Sequence, residues 1–579
     1  MPATSNTSFE AALNHHRSGR LDRAESLYRE IVRVDPGHAD ALHLLGVAAY
    51  QRNQNDRAID FIRRAIAING SAAPFHSNLG ASYRALGRLD EAVSSYQEAI
   101  RLAPEFADPH YNLGNVLKDL LRFEEAIASY RSALDLKPDM AEAHNNLGDA
   151  LKCAHRLDEA IASHRRAVEI KPELQEAHFN LGNAFKQRGD LNRAIVSYRR
   201  ALEIKPDYTD AHINLGYCQE DQGDLSVAVV SYERAIAIDG NCAEAHFNRA
   251  LAWIRAGDLA RGWPEYEWRF ERKVRRRCLP QPPWKGDSLS GRTILLYAEQ
   301  GIGDEIMFAS CIGDVLRQAS GCLIECDPRL VQLFSRSFAP AEVVARADDP
   351  QSARVAADVQ CAFGSLPRYL RSSLESFPAG EAFLEADPQL VEEWQRRFDK
   401  VPAGLKVGIS WQGGKEADVR RKRSTRLDQW EQLLGVQGVT FVNLQYGDVA
   451  EQLQAVPQQR PVTIHHWPAV DPLKDLDGFA AQITALDLVV SVDNSTVHMA
   501  GALGVPVWTL LPFASDWRWF LEGTGSPWYQ SMRLFRQRTA GDWEELFDRV
   551  VSALEQTVAE ARSGDPTAVD RAELIEPEC

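Results

Sequence analysis

Small and apolar residues recur along the first part of the chain at a fixed interval. Gly46, Gly80, Gly114, Gly148, Gly182 and Gly216 stand 34 residues apart, and Ala24, Ala58, Ala92, Ala126, Ala160, Ala194 and Ala228 keep the same register. Pro36, Pro104, Pro138, Pro172 and Pro206 close their units, with Gly70 and Gly240 in the two slots that lack proline. The pattern predicts pairs of antiparallel helices. Small residues permit a close crossing, proline stops the second helix, and Tyr28, Tyr96, Tyr130, Tyr198 and Tyr232 fill the space between helices. Stacked units of this kind make an all-α superhelix. Seven units are followed by a degenerate eighth, residues 243 to 276, whose Trp253, Trp263, Tyr266 and Trp268 suit burial of the solenoid end against another domain.

One polar position shares the period: Asn78, Asn112, Asn146, Asn180, Asn214 and Asn248. Each lies on the first helix of its unit, off the packing stripe and toward the concave groove. An amide there offers a donor and an acceptor, which suits the backbone of an extended peptide. The alternative is that each asparagine bonds to the neighbouring repeat and holds the superhelical pitch.

After a basic, Pro- and Gly-containing stretch the periodicity changes. Short β-rich runs (TILLYA, CLIECD, AEVVARA, then KVGISW, VTFVNL, LDLVVSV, PVWTLL) alternate with helical ones, which predicts parallel sheets in two Rossmann-like lobes facing a cleft. The expected organisation is a solenoid at 1–276, a linker at 277–292, lobes at 293–390 and 391–562 with a terminal helix from about Asp542 to Arg562, and a flexible tail at 563–579.

Composition narrows the function classes. With 65 basic and 81 acidic residues the net charge is −16, which disfavours nucleic acid or an anionic membrane as general partner. Two basic clusters, Arg269 to Arg277 and Arg420 to Arg426, could still face phosphate. The N-terminus has no signal-peptide pattern and no apolar run is long enough to span a bilayer, so the expected location is cytoplasmic. Nine cysteines form no paired framework, and Cys322 and Cys326 lack partners for a zinc site.

Two strand-to-helix junctions carry candidate chemistry. In YAEQGIGDEIMFA, Gly301 and Gly303 make a tight turn after a strand and Asp304 opens a helix; alone this is equally an ordinary capped turn. In VVSVDNSTVHMAGALGVPV the strand ends at Val492, and Asp493, Asn494, Ser495, Thr496 and His498 lie at or near the start of a helix, a ready anion site. Its alternative is a capped buried helix with a core histidine. Trp517, Trp519, Trp528 and Tyr529 could border a pocket or belong to the core. Asp475-Leu476-Asp477 looks like a helix cap rather than a metal motif, and no catalytic metal or cofactor is expected.

The repeats closely resemble the tetratricopeptide repeat family, and the asparagine series resembles that of nucleocytoplasmic O-linked N-acetylglucosamine transferases, whose repeats grip protein substrates there. Residues 290 to 540 resemble GT-B glycosyltransferases, especially the bacterial lipopolysaccharide heptosyltransferases. That resemblance implies Asp304 as catalytic base, with Gly301, Gly303, Arg423, Asp493, Asn494, Ser495, Thr496 and His498 binding the diphosphate of a nucleotide-sugar donor. Arg423 stands where the family has a lysine, and Arg420, Arg421 and Lys422 leave the contacting residue open. The implied function is inverting transfer of a sugar to a hydroxyl of a protein held in the repeat groove, the acceptor class including secreted appendage proteins such as flagellin. Two other readings stand beside it: an inactive transferase-like scaffold for protein interactions, and a transferase in lipid-linked or surface glycan assembly, which the lack of an amphipathic membrane helix disfavours.

Overall fold

A computed structural model describes residues 2–562 apart from 273–275, 278, 347–356, 379, 381, 415–419, 421, 455–462 and 468–470. The expected tail, part of the linker and Arg421 lie outside the described residues. The chain divides into two compact units, residues 1–218 and 219–579. This boundary falls before the one expected at 276, because the last repeats share a core with the α/β part: Ile254, Leu259, Trp263 and Tyr266 belong to the same buried cluster as Phe308, Trp517 and Trp528.

Unit 1–218 consists of antiparallel helix pairs such as Ala107–Asp119 with Phe123–Leu136, and Ala141–Cys153 with Leu157–Ile170. The periodic glycines sit where the second helix's large residue crosses the first. A Cβ on Gly114 would stand 2.7 Å from the Tyr130 ring, on Gly182 2.6 Å from Tyr198, and on Gly148 2.6 Å from His164. His164 thus takes the tyrosine's place in its repeat. Each turn inside a repeat needs a left-handed residue. Gly19, Gly87 and Gly189 supply it without strain, whereas Asn53, Leu121 and His155 adopt φ 60° there, at a cost for the last two.

Histidine shares the 34-residue interval, and the structure gives it a role in each unit that carries it. His76, His110, His144, His178 and His212 each make a ring-nitrogen hydrogen bond to the carbonyl six residues earlier, of Gly70, Pro104, Pro138, Pro172 and Pro206, at 3.0 to 3.1 Å. These bonds satisfy carbonyls left free where the preceding helix stops.

In unit 219–579 every strand run expected from the sequence is present, together with four short or mixed ones. One sheet contains β1 (Thr293–Tyr297), β2 (Gly321–Cys326), β3 (Glu342–Ala345) and β4 (Val359–Ala362) in the order β3-β2-β1-β4, all parallel. The other contains β5 (Leu405–Ser410), β6 (Val439–Asn443), β7 (Ile464–His465), β8 (Leu488–Val492), β9 (Val507–Leu511), β10 (Gly525–Ser526) and β11 (Tyr529–Arg536). Its order is β10-β11-β9-β8-β5-β6-β7, with only β10 antiparallel. Strands β1 and β5 lie beside their successors on one edge and beside β4 and β8 on the other, so each sheet reverses its winding there, the place where open α/β sheets leave a crevice. Helices Pro388–Phe398 and Trp543–Arg562 match the expected helical stretches closely. Asp475 caps the helix Leu476–Thr484 by accepting from Gly478 N at 2.8 Å, and Asp477 pairs with Arg336. Among the described residues no helix is long and apolar enough to cross a membrane.

Candidate functional site

At the carboxyl end of β8 the chain turns into the helix Ser495–Ala502 through Asn494. Asn494 Oδ1 accepts from Thr496 N at 2.9 Å, and its Nδ2 donates to Ser410 Oγ at 2.8 Å and Gln412 O at 3.0 Å. The cap therefore fastens the helix start to the end of β5, across the reversal point of the sheet. Gln445 rigidifies the same corner: its Oε1 accepts from the backbone N–H groups of Trp411 and Gln412 at 2.9 and 2.7 Å.

Facing this corner is the helix Ile302–Ala309, which follows β1. Gly301 is its N-cap and Asp304 lies within its first turn without making a cap bond, so Asp304 does not open the helix as expected. Gly303 is helical rather than part of a turn. Its lack of a side chain is used in another way, since a Cβ there would stand 3.2 Å from His498 Cδ2.

A cleft of about 310 Å3 lies between them, lined by Gly301, Gly303, Asp304, Arg423, Asp493, Asn494, Ser495 and His498. Of the donor-site residues expected from the sequence, only Thr496 is outside that lining. It is fully buried, and its Oγ1 has no hydrogen-bond partner. The structure also separates the basic run. Arg423 faces the cleft, Arg420 bonds to Gly414 O at 3.3 Å, Lys422 pairs with Asp221, and Arg426 pairs with Asp428 at 2.9 Å.

The sequence reading missed Arg518. Its Nε donates to Asp304 Oδ1 at 3.0 Å, its Nη2 donates to the same oxygen, and its Nη1 pairs with Asp516 at 2.5 Å. Arg423 lies 3.3 Å from Asp493 and 3.5 Å from Asp516. Two arginines and three aspartates thus form one chain of charges along the cleft, and Arg329, itself paired with Asp327 at 2.8 Å, also lines it. Burial pushes the Asp493 carboxyl up, opposed by Arg423, while at Asp516 the two arginines outweigh burial and hold it below the usual range. A single arginine in an aromatic run, PFASDWRWF, gives no sequence signal of this role.

His498 is almost fully buried. Its Nδ1 hydrogen-bonds the Tyr529 hydroxyl at 2.9 Å and its ring stacks on Trp519 at 5.2 Å. Burial, helped by Arg518, lowers its pKa to about 3, so the imidazole is neutral at neutral pH. The aromatic set therefore divides: Trp519 and Tyr529 support the cleft histidine, whereas Trp517 and Trp528 pack around Trp263 at 5.8 and 6.2 Å.

The asparagine series occupies itself with neighbouring repeats. Asn78 Nδ2 bonds His43 Nε2 at 2.8 Å, and Asn146 Nδ2 donates to Asn115 Oδ1 at 2.9 Å and to the Tyr111 hydroxyl at 3.1 Å. Asn180 Nδ2 donates to Asn145 Oδ1 and Asp149 Oδ2, both at 3.2 Å, and Asn214 Oδ1 accepts from Lys186 at 2.6 Å. The pitch-holding alternative accounts for these bonds. Asn112 and Asn248 are half-buried at the equivalent positions.

Comparison with known proteins bears on the repeats. A family model described as TPR repeat matches residues 80–120, 122–152, 156–187 and 182–223, and one described as tetratricopeptide repeat matches 9–74 and 221–266. The helical half is a tetratricopeptide-repeat array. Protein FlbA of Caulobacter vibrioides is 35% identical over 319 residues, covering 52% of this chain and 53% of FlbA. The chain thus spans about half the length of this curated relative. Similar solved structures include YrrB, a TPR protein with an unusual peptide-binding site (24% identity, 32% of this chain and 95% of that one, TM-score 0.29). MamA matches at 25% identity over 28% of this chain and 95% of its own, with a TM-score of 0.27.

Proposed function

We propose that the α/β part is an inverting glycosyltransferase of GT-B type, and that it moves a sugar from a nucleotide-diphosphate donor to a hydroxyl of a protein acceptor bound by the repeats. The observation that carries this reading is the meeting of Asp304, in the first turn of the helix after β1, with Asp493, Asn494, Ser495 and His498, in the turn and helix after β8, in one cleft holding Arg329, Arg423 and Arg518. The diphosphate would lie on the N-terminus of the helix Ser495–Ala502, beside the Ser495 hydroxyl, with its negative charge met by Arg423. Arg423 suits this role because its pairs with Asp493 and Asp516 are long, 3.3 and 3.5 Å, and a phosphate can replace them. Neutral His498 adds a hydrogen-bonding ring nitrogen rather than a charge. In the reaction the acceptor oxygen attacks the anomeric carbon, the bond from that carbon to the diphosphate oxygen breaks with its electron pair leaving on the diphosphate, and the hydroxyl proton passes to Asp304.

A second reading, a transferase-like scaffold, is favoured by one observation: Asp304 is already engaged by Arg518. Intact-mass spectrometry of proteins copurifying with the chain separates the two. The transferase reading expects a mass step on the partner that disappears with Asp304→Asn, with turnover down about 100-fold or more. A step that survives this change removes Asp304 from the role of base, and no step with either chain favours the scaffold.

A further inference from the structure

The four-stranded sheet has its own reversal point, between β1 and β4, and a second cavity opens at their carboxyl ends. It has a volume of about 420 Å3 and meets the strands at Tyr297 and at Gln360 to Ala362. Its floor is aromatic: Trp284 and Tyr297 are buried, and Tyr369 stands beside Trp284 with ring centroids 4.9 Å apart. Its rim is cationic, with Arg276, Lys285 and Arg368 all exposed.

Several features hold this cavity in shape. The segment that precedes β1 runs along β4, with Trp284 N donating to Gln360 O at 2.8 Å and Gln360 N to Pro282 O at 3.0 Å. Tyr369 OH donates to Trp284 O at 3.2 Å, and Trp284 Nε1 to Asp287 O at 2.8 Å. Gly286, at φ 82°, lets Tyr369 approach to where a Cβ would be 2.6 Å from its ring, so the aromatic wall depends on that glycine.

The charges of the cavity do not cancel. Its carboxylate, Glu267, is spent on Arg269 at 2.6 Å and on Ser365 Oγ at 2.7 Å. Arg276 reaches Glu267 only at 3.7 Å, and among the described residues neither Lys285 nor Arg368 has an ion-pair partner. In a chain of net charge −16, three cations around an aromatic floor at a sheet's reversal point select a ligand that carries both negative charge and a flat ring.

We propose that this cavity is a second ligand site, separate from the cleft, which binds a mononucleotide with its base against Tyr369 and Trp284 and its phosphate between Lys285 and Arg368. The inference does not depend on glycosyl transfer in the cleft. Photolabelling of the full chain with 8-azidoadenosine monophosphate, followed by peptide mapping, tests it. The peptide containing Tyr369 should be labelled, adenosine monophosphate should protect it, and adenosine should protect about 10-fold less well or worse, since it lacks the phosphate. Lys285→Glu with Arg368→Glu, both exposed positions, should abolish this label, whereas Arg423→Ala should leave it intact. Absence of label on that peptide, equal protection by adenosine, or label that survives the double charge reversal overturns the proposal. Loss of a cleft label with Arg423→Ala bears only on the function proposed for the cleft.

Discussion

In residues 1–218 a buried polar group meets nearly the same surroundings every 34 residues, whereas in residues 219–579 each meets surroundings that occur once. Asn146 Nδ2 donates to the Tyr111 hydroxyl and to Asn115 Oδ1, and one repeat later Asn180 Nδ2 donates to Asn145 Oδ1 and Asp149 Oδ2, which stand at the same two positions. The helical pattern tolerates Ile62 and His164 in the tyrosine slot because its neighbours repeat the same packing. The cleft has no such reserve. Arg518 alone joins Asp304 to Asp516, and Arg423 alone joins Asp516 to Asp493. Repetition spreads an interaction over many sites; a converging site places several obligations on one side chain.

The largest contrast between the two units is expected at Arg518. Its replacement by alanine leaves the partly buried Asp304 without its ion-pair partner and Asp516 with only the longer contact to Arg423, and should cost up to about 3 kcal/mol. All thirteen tryptophans lie at or beyond Trp253, so tryptophan fluorescence during urea unfolding reads this unit alone. A loss below about 1 kcal/mol would show that the charge chain is not structural.

Acid should separate the units next. Burial lowers the pKa of His43 and of His164 to about 4. A histidine with a depressed folded pKa contributes stability that is present above its unfolded value of about 6.5 and lost as pH falls toward 4, at most roughly 3 kcal/mol each. In the other unit burial raises Glu220 and Glu305 to about 7, so their effect runs the opposite way, stability being lost as pH rises from about 4.5 through 7, and it offsets the loss from His498. Between pH 7.5 and 4.5 the helical signal at 222 nm should therefore lose thermal stability by more than the tryptophan signal does. Equal shifts would contradict this.

A smaller effect is expected from Gly114→Ala, whose new Cβ would lie 2.7 Å from the Tyr130 ring; overpacking of this kind costs about 1–3 kcal/mol, read from the helical transition. The smallest concerns the asparagines. Asn180→Ala should cost about 1 kcal/mol through the lost bonds to Asn145 and Asp149. If stability is unchanged while binding of a copurifying protein falls, the groove role outweighs the pitch-holding one.

Much of the architecture was legible because its cause is local. The 34-residue interval, the glycines opposite tyrosines and the strand runs all follow from nearest-neighbour packing along the chain, so the sequence alone determined a repeat superhelix followed by parallel α/β structure. It also located both strand-to-helix junctions, since a capped helix start after an apolar run is a contiguous signal. Four things were decided by tertiary structure. The asparagine amides turned to the preceding repeat, because their partners lie 31 or 35 residues away in sequence. Asp304 and Asp493, 189 residues apart, came to one cleft only because two sheets reverse their winding beside them. The last repeats joined the α/β core through Trp263, which moved the unit boundary to 218/219. Arg518 found Asp304 across 214 residues, a pairing that no local pattern encodes, because the burial of a charge is set by everything that folds around it.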